Sequence, residues 1–153
     1  MFHRHPILSL LTLGYLAVVG WITLGPQPLD DNSVGFVWQA IAFFDRYEAT
    51  AWIGYNEAEF MANIAMFVPI GLFFLLLFGR RFWWLSIILS CLLTVGIETA
   101  QLVIPGRVSD PRDLVANSAG AVLGVVLGLV LTIGERRKIA ARSTQRARLA
   151  SLA

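Results

Sequence analysis

Residues 82–104, FWWLSIILSCLLTVGIETAQLVI, decide the fold, because they hold a single acidic or basic residue, Glu98. A hydrocarbon core of about 30 Å takes about 20 helical residues to cross. Inside lipid the backbone has no water to bond, so such a stretch must be helical despite its Val and Ile content. Three other windows are long and apolar enough to do the same: 6–24, 60–78 and 114–133. The chain therefore reads as an all-α integral membrane four-helix bundle. Composition agrees: 57% of the 153 residues are apolar and 14% charged, whereas a water-soluble domain carries roughly a quarter charged residues. Window 6–24 is long for a signal-peptide core, and Gly25-Pro26-Gln27-Pro28 is a poor cleavage site, so it is read as a retained span.

The basic residues orient the bundle. With four spans, the N-terminus, the turn at 79–81 and the tail after Glu135 share one side. That side holds Arg4, Arg80, Arg81, Arg136, Arg137, Lys138, Arg142, Arg146 and Arg148, against Arg46, Arg107 and Arg112 opposite. Cationic loops stay in the cytosol, so both termini are expected inside, with 26–59 and 105–113 outside. The basic tail, 135–153, reads as a frayed helix attracted to anionic lipid at about 1 kcal/mol per residue. It is not read as a nucleic-acid site. In the outer loop, Phe36, Val37, Ala40, Ile41 and Phe44 recur at helical spacing, near Trp38 and Trp52. This predicts a short interfacial helix, an ordered loop packed on the bundle being the alternative. Cys91 is the sole cysteine and excludes an internal disulfide.

Polar side chains within spans are costly, so they are the first places to look for function. Glu59 and Asn63 lie one turn apart on the second span, and Thr94, Glu98 and Gln101 share a face of the third. The fourth opens Asp110-Pro111, an N-cap followed by proline at the first helical position, with Asp113 and Asn117 in its first turns. At 1.5 Å per residue, Asn63, Glu98, Gln101 and Asn117 fall about 5–10 Å below the outer boundary. Three spans thus bring polar groups to one depth, with Arg107 and Arg112 above. Glu98 must be protonated, paired with an arginine, or set against a wet cavity. The bland alternative is hydrogen-bonded glue between helices, which needs one or two polar groups rather than seven. On the fourth span Asp113, Asn117, Gly120, Gly124 and Gly128 share a face, and this repeated Gly-xxx-Gly spacing suits close helix packing. Pro69 and Gly71 interrupt the second span and invite a kink there.

The motifs resemble the VanZ-like family. Asn63, Ile64, Phe67, Pro69 and Gly71 match its N-I-x-x-F-x-P-x-G signature. Glu98 and Gln101 match E-x-x-Q, and Arg107, Asp110, Asp113, Asn117 and Gly120 match R-x-x-D-x-x-D-x-x-x-N-x-x-G. The match runs from about 59 to 133. The resemblance implies a bacterial inner-membrane protein related to one that gives resistance to the lipoglycopeptide teicoplanin, and with it an effect on glycopeptide susceptibility. It brings no reaction with it.

From the residues themselves, we expect a pocket near the outer face that binds or modifies a cell-envelope lipid or its glycan headgroup. Asn63, Gln101, Arg107, Asp110, Arg112 and Asn117 would hold the substrate. If the site is catalytic, Glu98 is the general acid or base and Asp113 its ionised partner. The partners expected are membrane lipids, including a lipid-linked cell-wall precursor or glycolipid, and a membrane-protein partner or second copy of the chain. No Ser-His-Asp or Cys-His set, zinc pattern or P-loop occurs, so no cofactor or metal is expected. The competing readings are a non-catalytic lipid-translocation component and a structural partner subunit.

Overall fold

The computed structural model describes residues 6–25, 54–106 and 109–150, with side chains of the last helix described as far as Thr132. It is all-helical in the expected order: α1 (Pro6–Leu24), α2 (Tyr55–Phe78), a single 3₁₀ turn (Arg80–Phe82), α3 (Trp83–Gln101) and α4 (Pro111–Ala150). Each of the four helices is long and apolar enough to cross a membrane, and the chain is a multi-pass membrane protein. Its outer surface fits that solvent. Ile7, Trp21, Leu92, Val103 and Val130 are all more than half exposed, an apolar area that water would not tolerate on a small monomer. The expected interfacial helix (36–44), Arg107 and the extreme N-terminus lie outside the described residues.

Helix α3 reverses the usual pattern of a soluble helix. Ser86, Ser90, Thr94, Glu98 and Gln101, spaced by four or three residues, are buried. Ile88, Leu92 and Val95 on the opposite side are exposed. The polar stripe faces protein because lipid cannot satisfy its hydrogen bonds. The most extensive helix pair is α2 with α4, and glycine makes it so. A Cβ on Gly120 would strike the Ile64 carbonyl, one on Gly124 the Val68 carbonyl, and one on Gly71 the Ala121 carbonyl. The two backbones touch, as the Gly-xxx-Gly spacing predicts. Phe67, Ile70, Val19, Ile97 and Ala121 form the buried hydrophobic core. Tyr15 ties α1 to it, donating to the Met66 carbonyl at 2.8 Å and meeting Phe73 edge-on at 5.8 Å.

The ends of the elements correct the sequence reading by a few residues. Helix α2 starts at Tyr55 rather than 60, where the Gly54 N–H donates to the Glu57 carboxylate at 3.0 Å, the half of a capping box that a glycine can make. It then runs unbroken through Pro69. Gly79 follows with φ 80° and ψ 163°, a conformation open essentially to glycine alone, and turns the chain into α3. Helix α3 stops at Gln101, not 104. The next N–H groups bond one residue closer, Val103 to Ala100 and Ile104 to Gln101, because Pro105 disfavours helix at the residue before it. Gly106, at φ 82°, completes the reversal. Helix α4 starts at Pro111, as the Asp110-Pro111 capping signal predicts and three residues before the apolar window, and continues through the basic tail to Ala150 instead of fraying.

Candidate functional site

The turn after α3 is what builds the site. Having ended at Gln101, the chain folds back so that Ser109 and Asp110 lie over the last turn of α3. The Ser109 hydroxyl donates to Glu98 Oε2 at 2.7 Å and the Asp110 N–H donates to the same oxygen at 3.1 Å. Asp110 is then the N-cap of α4: its side chain accepts the Arg112 N–H at 2.8 Å, and Pro111 takes the first helical position where no N–H is needed. Asp113 and Asn117 follow on the inward face. Asp113 accepts the Asn63 side-chain N–H of α2 at 2.7 Å, and the Asn117 amide donates to the Thr94 hydroxyl of α3 at 2.8 Å. Gln101 reaches α1, donating to the Thr23 carbonyl at 3.1 Å.

Between these groups is a half-enclosed cavity of about 210 Å³, where a single water needs about 10–15 Å³. All four helices line it. Glu59, Asn63, Glu98, Gln101, Asp113 and Asn117 supply polar walls, with Thr23, and Ile22, Ala62, Met66 and Ile97 supply apolar ones. Glu98 is 6% exposed, Gln101 8% and Asn117 2%. Even so, Glu98 Oε1, Gln101 Oε1 and Asn117 Oδ1 have no hydrogen-bond partner among the described residues. Buried polar atoms are nearly always paired, and leaving one unpaired costs about 1–3 kcal/mol. Three at one cavity mark a place where protein packing alone does not complete the chemistry.

Five of the six residues expected to hold substrate are described. Of these, Asn63, Gln101 and Asn117 line the cavity together with the expected catalytic pair, Glu98 and Asp113. Asp110 and Arg112 do not. They border a small neighbouring cleft with Asn56, Glu59, Phe60 and Asp113. Asp110 serves the site by capping α4 and through its backbone N–H. The Arg112 guanidinium packs 5.9 Å from the centre of the Phe60 ring, so among the described residues Glu98 is held by neutral donors and not by Arg112. Arg107 lies outside the described residues. Among them, too, no three His, Cys, Asp or Glu side chains converge as metal ligands would.

Sequence reasoning does not reach Thr23 or Ser109. Thr23 enters only because α1 leans on α3, which no local pattern announces. Ser109 had a signal, since a hydroxyl beside Asp-Pro is common where a helix begins. Ser86 and Ser90, at four-residue spacing behind Thr94, extend the buried stripe and were also legible.

No curated protein and no solved structure matches the chain. A family profile does, that of VanZ/LLP1, over residues 12–132. That stretch runs from the middle of α1 to the last described side chain of α4, and so contains every cavity-lining residue. On that match, which agrees with the motifs on α2, α3 and the start of α4, the chain belongs to the VanZ/LLP1 family.

Proposed function

We propose that the cavity binds the polar headgroup of a cell-envelope lipid, a glycolipid or a lipid-linked cell-wall precursor, entering from the outer face of a bacterial inner membrane. The observation that carries this reading is the set of unpartnered oxygens on Glu98, Gln101 and Asn117 around one cavity. Helix glue would pair such atoms within the protein. Depth supports it as well: Glu59, Gln101 and Asp113 lie at helix ends, where headgroups reside. The positive-inside count puts that end of the bundle outside and both termini in the cytosol. Lipid retention tests the reading. The protein is extracted in mild detergent and its bound lipids are measured by mass spectrometry, for the wild type and for Asn117→Leu. Loss of one lipid class from the variant is expected; identical lipids in both would overturn the proposal.

Glu98 and Asp113 border the same cavity, which favours a second reading in which the bound headgroup is also modified by general acid–base catalysis. Glu98→Gln separates the two. It preserves the shape and a hydrogen-bonding oxygen but cannot exchange a proton, so binding with turnover abolished supports catalysis. Unchanged cellular function in this variant removes it.

A further inference from the structure

The cavity has an unequal supply of donors and acceptors, and this points to the kind of group it takes. Among the described residues no Lys, Arg or His lines it, while Glu59, Glu98 and Asp113 do. Arg112, the nearest described cation in the loop, is turned to the Phe60 ring beside the neighbouring cleft. The amides also leave oxygen facing the demand. Gln101 must present its NH₂ to Thr23, because that partner is a carbonyl, and Asn63 must do the same toward the Asp113 carboxylate. The Gln101 carbonyl oxygen is left buried and unpartnered, as is Glu98 Oε1. A phosphate or sulfate would add only acceptors to this wall and would lie among carboxylates. A compact metal ion needs several oxygens converging within about 2–2.6 Å, and among the described residues the carboxylates do not converge in this way.

We propose that the group bound in this cavity is a protonated primary amine. This rests on the headgroup-binding reading and specifies its chemistry. A primary ammonium carries three N–H donors and no acceptor, which complements a wall with unpartnered oxygens and excess negative side chains. Its apolar attachment would lie against Ile22, Ala62, Met66 and Ile97. The amine can belong to an aminophospholipid, to an amino sugar on a glycolipid, or to a small soluble amine.

Full-length protein in a neutral detergent is titrated with defined lipids, and occupancy is read by native mass spectrometry. The probes are phosphatidylethanolamine, phosphatidylcholine (cationic headgroup nitrogen, no N–H), phosphatidylglycerol and a neutral glucosyl diacylglycerol. Soluble ethanolamine and glucosamine serve as competitors. Phosphatidylethanolamine should bind roughly tenfold or more tighter than phosphatidylcholine, the worth of one buried charge-assisted hydrogen bond. Glu98→Gln should erase that preference, and Glu59→Gln should weaken it, in protein whose helicity and elution are unchanged. Competition by glucosamine but not ethanolamine would assign the amine to a sugar. Binding of soluble amines alone would keep the ammonium chemistry and refute the lipid as its source. Preference for phosphatidylglycerol or the neutral glycolipid, lost in Asn117→Leu, would overturn the amine proposal while leaving the headgroup reading standing. Equal binding of all four lipids, unchanged in Asn117→Leu, would overturn both.

Discussion

Replacing Gly120 by alanine should destabilise the bundle and open the site, although the same change elsewhere in a helix would help. Alanine is favoured over glycine within a helix by about 1 kcal/mol. At Gly120, however, the new Cβ would fall on the Ile64 carbonyl oxygen, with the Ile64 C and Cα atoms at 3.0 Å. Ordinary contacts begin near 3.4 Å, and the obstacle is backbone, which cannot rotate away. Helices α2 and α4 must therefore part. Overpacking of this kind costs about 1–3 kcal/mol. Asn63 adjoins Ile64, so the parting also stretches its 2.7 Å bond to Asp113. Hydrogen bonds between membrane helices average only about 0.6 kcal/mol, so the steric cost dominates the stability change while the lost bond disturbs the cavity wall. Gly96→Ala is the internal control, because a Cβ there meets nothing within 4 Å. Reversible unfolding in mixed micelles, followed by circular dichroism, should show Gly120→Ala less stable than wild type by on the order of 2 kcal/mol and Gly96→Ala equal or more stable. Equal stability of the two variants would refute the backbone contact between α2 and α4.

Ser109→Ala removes one of two donors to Glu98 Oε2 and should cost about 1–3 kcal/mol. In a double-mutant cycle with Glu98→Gln the two changes should be non-additive; additive values would mean the contact is energetically silent. In a Cys91→Ala background, Ala62→Cys at the cavity wall should react with a water-soluble maleimide, whereas Leu92→Cys, 61% exposed on the apolar surface, should not. A protected position 62 would show that the cavity is dry. At the opposite end of the bundle, Arg80 donates to the Leu129 carbonyl and the Thr132 hydroxyl at 3.3 and 3.1 Å. Arg80→Ala should lower stability by about 1 kcal/mol and leave lipid retention unchanged; altered retention would show coupling between the two ends.

Much of this protein is determined by local chemistry alone. Lipid permits only helices for runs such as 82–104, so span number and helix type follow from composition. The inward faces follow from three- and four-residue spacing, as for Glu98 with Gln101 and Gly120 with Gly124. Sequence also marks the start of α4, because Asp110-Pro111 is a local capping signal. Tertiary structure decided the rest. Periodicity shows that a face seeks protein, but not which helix meets it, and only the packing paired the α4 glycines with α2 and brought Thr23 to Gln101. The early end of α3 placed Ser109 and Asp110, not Arg112, against Glu98. A charge in sequence attracts any nearby opposite charge, whereas the hydrogen bonds actually made depend on where two separate backbones come to rest.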